Sequence, residues 1–550
     1  MVHRTQHTIR IVILAGLLVL VFPALFSQTS SCDLQIPITE GFIDGHGNAS
    51  AIGPGDTVCL LPGFRSYLWI RYLHGTSDAP IVIMNTLGGV SIHQFYYGIK
   101  IDSCSHIKLS GKGVSALPYG IHIFDISVGG GLSIEGLSTD VEIEGIEIYN
   151  TAFSAVYCKS DPDCSFTSTR DKYVMRNISF HDNYIHDAGN EGFYIGSSFY
   201  SGVIDTCNGK DTILLPHMIR GLKIFNNLVT RTGWDGIQAS CADSACAIYH
   251  NEIWYDSDAA VFNQMSGIIM GEGSICDCYN NWILYGKGNG IQDHGLAGNK
   301  TYNNLIVNPG RTFPEEFPYQ NGIYVGTQQT LPGNSFLIAN NTIISPKDFA
   351  LDFRNESSSG NRFINNLVMN WGRGLVNVEM GSNILVQNNY TDPNFDVSQF
   401  VDPGNGNFDL RPTSGAVNAA VPVSPLNLSF DILDRTRPFA LVNDIGAYEC
   451  HDSSLIAIPE NQSGPSLRLH LLTGYLPDYM VIRYTIPSQD RVQIGLYDIS
   501  GRLVMMVMDS LIPPGEYEQQ FVPDSLAAGT YLVRMTVGHV SISKKFQLIR

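Results

Sequence analysis

The chain has 550 residues, enough for two or three domains, and carries a formal net charge of −18 at pH 7. Charged residues make up only 15% of the chain and glycine occurs 54 times, a composition that disfavours a mainly helical protein. The acidic balance argues against nucleic acid or an anionic membrane as the main partner. It also argues mildly against a polyanionic substrate, unless a bound cation reverses the local field.

The first residues have the pattern of an export signal. Two basic residues, Arg4 and Arg10, precede an apolar stretch from Ile11 to Phe26, and polar residues follow from Ser27. This arrangement predicts a signal peptide over residues 1–27, and no later segment is long and apolar enough to span a bilayer. A retained membrane anchor is the alternative, because the apolar stretch is marginally long enough to cross one.

Export would allow disulfide bonds to form among the 11 cysteines. Their spacing does not define a disulfide framework, although Cys158 with Cys164, or Cys241 with Cys246, could close small loops. The pair Cys276 and Cys278 lacks neighbouring histidines, so it is only a weak indication of a metal site.

A short motif recurs through the middle of the chain, with the form apolar-x-apolar-x-Asn-Asn-x-apolar. The second asparagine of each copy serves as a reference position: Asn183, Asn227, Asn251, Asn281, Asn304, Asn341, Asn366 and Asn389. Two of the intervals between these positions are 23 residues, and the longer intervals are the same coil with inserted loops. A repeat of this length predicts a solenoid.

Apolar residues alternate within each copy, so the copies are predicted to be strands. Positions three and five before the reference, and two after it, are mostly apolar and should face inward. Cys246 and Cys276 both lie five residues before their reference asparagine, on adjacent coils. We therefore expect their Cα atoms about 5 Å apart, close enough for a disulfide, and Cys278 buried in the core.

Three short strands per coil and a stacked asparagine at one bend resemble the right-handed parallel β-helix of pectate-lyase-like proteins. Residues 54–58 and 75–83 look like the first coils of such proteins, and residues 444–449 are similar to the closing motif of bacterial members. The resemblance implies an all-β fold, a right-handed parallel β-helix solenoid, over residues 28–450.

The C-terminal part has a different pattern. Residues 451–468 lack alternation and read as a linker, and the strand-like runs that follow predict a small β-sandwich over residues 469–550. The runs 497–504 and 528–533 and the terminal Lys544-Lys545-Phe546 resemble the C-terminal sorting domain of type IX secretion cargo. The resemblance implies the type IX secretion machinery as a partner, and a secreted or cell-surface protein of a Gram-negative bacterium. An Ig-like accessory module is the alternative.

The fold alone does not define a function, because it hosts lyases, hydrolases, adhesins and structural spikes. Any reactive groups are therefore expected at outward positions. Two residues before the reference lie five rings on successive coils: His181, Phe225, Tyr249, Tyr279 and Tyr302. We expect them to present ring faces in a row on which sugar rings could stack. The alternative is a structural ladder, since aromatic side chains favour strands and stack across them.

Two carboxylates share one predicted position on neighbouring coils. Glu191 and Asp235 each lie eight residues after their reference asparagine, so their backbones should be about 5 Å apart. Close carboxyl groups acquire different pKa values, which suits one acid and one base or nucleophile. We expect both to line a cleft with His186, Arg231 and Trp234. The pair could instead bind Ca²⁺, or simply cap the turn before a glycine.

These features favour an exported protein that acts on polysaccharide, with Glu191, Asp235, Arg231 and His186 as catalytic residues of a glycoside hydrolase or polysaccharide lyase. The predicted substrate contacts are Trp234, Phe225, Tyr249, Tyr279 and Tyr302. The alternative is a non-catalytic surface protein of the adhesin type that binds glycan, because no complete catalytic motif of a known family is present. Calcium is the one cofactor that the sequence suggests, and a monomer is expected.

Overall fold

The computed structural model describes residues 32–313, 320–452, 455, 468–472, 480–498, 502–521, 526, 529–538 and 540–548. The predicted signal peptide, residues 1–27, and most of the predicted linker lie outside these ranges. The chain divides into two compact units, residues 1–455 and 456–550. No helix in the described part is long and apolar enough to cross a membrane.

The first unit is a parallel β-helix, as the repeat predicts. Each coil contributes one strand to each of three long parallel sheets, which we name the first, second and third sheet in the order in which a coil visits them. Within the described residues the first sheet contains Leu34–Ile36, Thr57–Leu60, Ile81–Asn85, Ser105–Ser110, Thr139–Glu144, Ile178–His181, Lys223–Phe225, Cys246–Tyr249, Cys276–Tyr279, Lys300–Tyr302, Leu337–Ala339, Arg362–Ile364 and Leu385–Gln387.

The other two long sheets follow in each coil after the asparagine bend and after a second turn. The second sheet contains Gly63–Arg65, Val90–His93, Ile121–Ile126, Ile146–Thr151, Tyr184–Ala188, Leu228–Thr230, Glu252–Trp254, Trp282–Leu284, Leu305–Val307, Thr342–Ile344, Leu367–Met369 and Tyr390–Asp392. The third contains Phe42–Asp44, Leu68–Arg71, Ile99–Asp102, Leu132–Glu135, Val156–Cys158, Phe193–Ile195, Ile237–Ala239, Ser266–Met270, Asn289–Asp293, Ile323–Val325, Phe349–Phe353 and Gly374–Val378.

The bend between the first and second sheets is built from both asparagines of the motif. The second asparagine is buried, and its amide nitrogen donates to the side-chain oxygen of the next one, at 2.9–3.0 Å along the whole series from Asn183 to Asn389. The first residue of each pair has a positive φ, as at Asn280 and Asn303, a conformation that asparagine tolerates better than most residues. The predicted register of the coils is therefore confirmed.

Smaller elements leave the solenoid in the inserted loops. A three-stranded parallel sheet, an antiparallel hairpin, a two-stranded sheet and two short 3₁₀ helices are described: Val174–Arg176, Met218–Arg220 and Ala242–Ser244; Val203–Cys207 and Lys210–Leu214; Phe400–Asp402 and Asn407–Leu410; Val397–Gln399 and Pro403–Asn405.

The register of the coils predicts the disulfide pairing better than the spacing of cysteines along the sequence does. Cys246 and Cys276 are bonded, with Cα atoms 4.5 Å apart, and Cys278 is buried with a free thiol, so both predictions for this strand pair are confirmed. The disulfides suggested by spacing, Cys158 with Cys164 and Cys241 with Cys246, are wrong, because Cys158 and Cys241 are buried free thiols. The remaining bonds are Cys32–Cys59 and Cys164–Cys207, and the latter ties the hairpin to a loop of the preceding coil.

Residues 418–449 fold back over the later coils. The first asparagines of the motif hold this segment: the side chains of Asn303, Asn340 and Asn388 donate to the carbonyls of Phe430, Asp444 and Ala419 at 3.0–3.1 Å. Apolar residues of the segment, among them Ile432 and Tyr448, pack in one cluster with Leu305 and Leu367 of the second sheet. The outer face of the second sheet is thus covered in the later coils.

The second unit is a small antiparallel β-sandwich, as predicted. Its two sheets contain Arg468–Leu472, Met480–Ile486 and Gly515–Phe521, and Asp490–Asp498, Leu503–Ile512, Gly529–Val537 and Val540–Leu548. Buried residues of both sheets, such as Ile482, Ile494 and Val533, form one core.

Candidate functional site

The predicted carboxylates lie inside the coil. The backbone N–H of Gly192 donates to the carbonyl of Asp235 at 3.0 Å, which confirms that Glu191 and Asp235 occupy one position on neighbouring coils. Their exposed fractions are only 2% and 0%. Glu191 accepts a 2.7 Å hydrogen bond from the Ser154 hydroxyl. Both carboxylates therefore belong to the interior of the turn between the second and third sheets.

Burial dominates the electrostatics of these acids. It raises the pKa of Glu191 and raises the pKa of Asp235 well above its usual range, and the negative charges of Glu191 and Asp256 raise the latter further. Burial also raises the pKa of Asp256 to about 7. An acid that is removed from water favours its neutral form, because the charged form loses its hydration.

The prediction that Glu191 and Asp235 line an open cleft is wrong, because both side chains are buried. A polysaccharide chain cannot reach side chains that are closed inside the coil, so the arrangement lacks the access that a catalytic pair needs. The physical reason is the turn itself. The residue before the glycine that precedes or begins each strand of the third sheet points inward here, as Ser266 and Asn289 also do on later coils. The catalytic function of the two carboxylates stays a prediction.

The predicted aromatic column exists as a stack. His181, Phe225, Tyr249, Tyr279 and Tyr302 follow one another with ring centroids 4.6–5.0 Å apart and planes inclined by 3–12°. Each inner ring therefore has both faces against its neighbours, and only ring edges point outward. The expectation of exposed ring faces is wrong, because the spacing between coils matches the stacking distance. Binding of substrate by these residues stays a prediction.

A second aromatic column, which the sequence analysis missed, lies on the second sheet in earlier coils. His93, Phe124, Tyr149 and His186 form it, with successive centroids 5.7, 5.2 and 4.8 Å apart. The coils that supply the first three residues lack the asparagine pair, and a glycine, Gly145, occupies the bend before Tyr149. The alternation of Ile146-Glu147-Ile148-Tyr149 was the one signal that could have revealed it.

His186 is the centre of a hydrogen-bonded series on this face. Its Nε2 lies 3.4 Å from Glu147, whose other oxygen lies 2.6 Å from His122. Its Nδ1 lies 2.6 Å from Asp187. The ring is thus held between two carboxylates, a position in which an imidazole is oriented and can exchange protons with either side.

Arg231 extends the series by one coil. Its guanidinium donates two 2.7 Å hydrogen bonds to the carboxylate of Asp187, and its side chain is 49% exposed. The hydrogen bonds from Arg231, with help from His186, lower the pKa of Asp187 to about 2. The structure therefore brings together His186 and Arg231, as predicted, but with Glu147 and Asp187 in place of the buried pair.

A shallow groove of about 400 Å³ lies beside this series, at the turn between the second and third sheets. Its lining includes His93, Asp125, Asn150, Thr151 and Asp187. Trp234 lies on the same turn one coil further on, where its backbone N–H donates to the carbonyl of Asn190 at 3.1 Å. The groove runs across successive coils, and its side chains are mostly hydrogen-bonding groups.

Two groups of three potential metal ligands occur among the described residues. One consists of Cys164, Cys207 and Asp205, of which the cysteines are bonded to each other. The other consists of Glu142, Glu144 and His181 on the first sheet. The ammonium group of Lys108 already lies 2.6 and 2.9 Å from the two glutamates, so each glutamate has a cationic partner within the protein.

Comparison with known proteins identifies the C-terminal unit. Residues 477–549 match the secretion system C-terminal sorting domain, which confirms the sequence prediction for this part. Among curated proteins, no sequence matches the chain.

Some solved structures are similar to the chain, at low sequence identity and low TM-score. The enzymatically active domain of tailspike protein 2 from bacteriophage CBA120 is 11% identical, with a TM-score of 0.34 over 90% of this chain and 72% of that one. The periplasmic alginate epimerase AlgG is 12% identical, with a TM-score of 0.31 over 65% and 85%. The gp42 tailspike of Acinetobacter phage vb_AbaP_AS12 is 10% identical, with a TM-score of 0.25 over 93% and 83%. The chain is a parallel β-helix protein that carries a C-terminal sorting domain for secretion.

Proposed function

We propose that the chain is an exported carbohydrate-active enzyme, a hydrolase or lyase, that acts on polysaccharide at the second sheet in its earlier coils. The observation that carries the proposal is the hydrogen-bonded series His122, Glu147, His186, Asp187 and Arg231 beside an open groove. This is a concentration of proton-exchanging groups on the face that residues 418–449 leave uncovered.

The proposed roles follow from position and charge. His186 exchanges a proton with substrate through Asp187, which lines the groove, and Glu147 holds the other side of the ring. Arg231 is half exposed and presents unused donors, so it contacts a sugar hydroxyl or carboxylate. Its planar, permanently charged group suits that contact.

The shape of the groove favours a polymer over a small sugar. The groove crosses the coils of His93, Asp125, Asn150 and Asp187, and adjacent coils are about 4.8 Å apart. The lining therefore extends about 15 Å along the solenoid, which corresponds to several sugar units. The sorting domain supplies a route to polysaccharide outside the cell, where the mature protein is released or attached.

Activity assays on the purified full-length exported chain test the proposal. A polysaccharide panel is scored for new reducing ends and for unsaturated uronates, which separates hydrolysis from elimination. We expect His186→Ala and Glu147→Gln to lower kcat/KM by about 10²-fold or more, as the loss of a positioned acid–base group does. His106→Ala, which alters an ion-paired histidine on the first sheet, should retain activity. Full activity in His186→Ala contradicts the proposed site.

A non-catalytic surface glycan binder is the second candidate, and one observation favours it. The low pKa of Asp187 keeps this carboxyl ionised and unsuited to donate a proton, whereas the acids with raised pKa, Glu191, Asp235 and Asp256, are buried. Binding without turnover across the panel, lost on replacement of Arg231 by Met, would support this candidate against the enzyme.

A further inference from the structure

The interior of the solenoid contains an unbalanced group of acids. Asp235 is fully buried, and neither of its carboxylate oxygens has a hydrogen-bond partner among the described residues. Asp256, also buried, has one oxygen without a partner, and its other oxygen accepts a 2.7 Å hydrogen bond from Ser257. The backbone N–H of Ser257 donates to the carbonyl of Trp234 at 2.9 Å, which brings Asp256 next to Asp235 on the neighbouring coil. Glu191 occupies the same position on the coil before.

Such a group is costly in the folded state unless something offsets it. A buried charge without a partner loses its hydration and gains nothing in return. Neither Asp235 nor Asp256 forms an ion pair with a described residue.

The adjacent backbone accommodates the Asp256 carboxylate. A Cβ added at Gly286 would lie 2.2 Å from Oδ1 of Asp256, and one added at Gly267 would lie 3.5 Å from it. Glycine at position 286 therefore lets the next coil approach this oxygen closely. The oxygen therefore lies against the glycine backbone of that coil.

We propose that Asp235 and Asp256 bind one Ca²⁺ ion inside the turn between the second and third sheets. The two unpartnered carboxylates are the direct side-chain ligands, and Glu191 remains hydrogen-bonded to Ser154 beside them. Ca²⁺ accepts six to eight oxygen ligands in flexible geometry, whereas Mg²⁺ dehydrates reluctantly and demands an octahedral shell. An enclosed turn that offers carboxylate oxygens suits the ion that gives up its water more readily.

The position of this ion relates it to the groove. The backbone N–H of Gly233, two residues before Asp235, donates to the carbonyl of Ala188, and the N–H of Gly189 donates to that of Thr151. Gly189 and Thr151 line the groove. The ion would hold together the turn that forms the floor of the groove, without contacting substrate, so the inference does not depend on the proposed enzymatic activity.

Calcium content and thermal unfolding of the purified chain test the inference. After treatment with EDTA and buffer exchange, the wild-type chain is titrated with CaCl₂, with MgCl₂ as the comparison, and bound calcium is counted by elemental analysis. We expect one calcium per chain and a rise in Tm of at least about 2 °C at saturating calcium. MgCl₂ should give a smaller shift.

Three variants complete the test. Asp235→Asn and Asp256→Asn preserve side-chain shape and remove a buried charge, so they should fold, bind no calcium and show no calcium-dependent shift in Tm. Asp258→Asn alters an exposed carboxylate nearby that pairs with Lys287 and should bind calcium as the wild type does. The inference is overturned if the wild type binds no calcium, or if Asp235→Asn and Asp256→Asn bind calcium as the wild type does.

Discussion

At the scale of single residues, the buried asparagine of the bend connects neighbouring coils by hydrogen bonds. The side-chain oxygen of Asn281 accepts from the side chain and the backbone N–H of Asn251, while its amide donates to Ile248 and Asn304. The polar groups of the Asn281 side chain are thereby satisfied, in a place that water does not reach. No other side chain combines this donor and acceptor pattern with this size.

Asn281→Ala should therefore destabilise the solenoid strongly. The change leaves buried polar groups on two neighbouring coils without partners, at a cost of about 2–4 kcal/mol. Asn389→Ala at the half-buried end of the series is the matched control and should cost less, because water can replace the lost contacts there. Urea unfolding measures both, and equal losses would contradict the reasoning.

Asp293 gives a pH-dependent prediction. Burial raises its pKa from 3.8 to about 7, although Gly295 and Asn299 donate to it. Because the folded-state pKa lies above the unfolded one, the folded chain prefers the protonated form, and stability falls as pH rises from about 4 to about 7. Asp293→Asn should abolish this loss and be more stable than the wild type at pH 8, by about 1–4 kcal/mol.

The control for this prediction is Asp78→Asn at an exposed position. Thermal unfolding at pH 4, 6 and 8 should give parallel curves for the wild type and the control. A wild-type chain whose stability relative to Asp293→Asn does not change with pH would show that Asp293 is not the titrating group.

At the scale of elements, parallel strands in register bring identical positions together, and side-chain chemistry then decides what those positions do. Aromatic residues at one position form a closed stack, as in the column from His181 to Tyr302. The stack stabilises the first sheet and conceals the ring faces, so its contribution is expected in stability and not in affinity.

Replacing Tyr249 by Ala should accordingly destabilise the chain. The ring stacks on both Phe225 and Tyr279, and each such pair is worth about 0.5–1.5 kcal/mol. Affinity for any glycan that the protein binds should be unchanged. Tyr96→Ala, at a ring that is 61% exposed, is the control for stability. Weaker glycan binding with unchanged stability would restore a role for this column in recognition.

At the scale of the whole molecule, the segment that folds back is locked by one buried ion pair. Arg437 and Glu449 are 0% and 1% exposed and lie 3.1 Å apart, and Arg437 also donates to Asn303 of the solenoid at 2.8 Å. The contact with Asn303 joins the segment to the later coils. The segment covers the apolar outer face of the second sheet there.

Glu449→Gln should cost about 3–5 kcal/mol, because it leaves the buried guanidinium without its counter-charge. Hydrogen exchange should rise first in residues 418–449. The double variant Arg437→Met with Glu449→Leu should lose less than the single one, since no unpaired charge remains. If Glu449→Gln matches the wild type in stability and in protection from hydrogen exchange, the ion pair does not hold the segment in place.

Deleting residues from 469 onward should leave the β-helix folded, because its core and that of the sandwich are formed by separate sets of residues. The truncated protein should accumulate in the periplasm, since it lacks the sorting domain. Cell fractionation with circular dichroism of the periplasmic protein measures both outcomes. Appearance of the truncated chain in the medium at the wild-type level would contradict the role of this domain.

The sequence by itself determined the architecture, because a solenoid is repetitive and the intervals between its repeated residues define how the coils align. The asparagine series predicted the coils, and the inward cysteine positions predicted the bond between Cys246 and Cys276. The sandwich at the C-terminus followed from alternation and turn residues. These features depend on neighbours one coil away, which a fixed period identifies.

Only the tertiary structure decided which side of the chain each chemical group faces in the turns. Glu191 and Asp235 share a position as predicted, but the turn directs them inward, and no alternation pattern extends through a turn to show this. Glu147 and His122 join His186 from coils that lack the asparagine motif. Residues 418–449 cover the later coils from far along the chain, so the exposed face, and with it the candidate site, could be found only after folding.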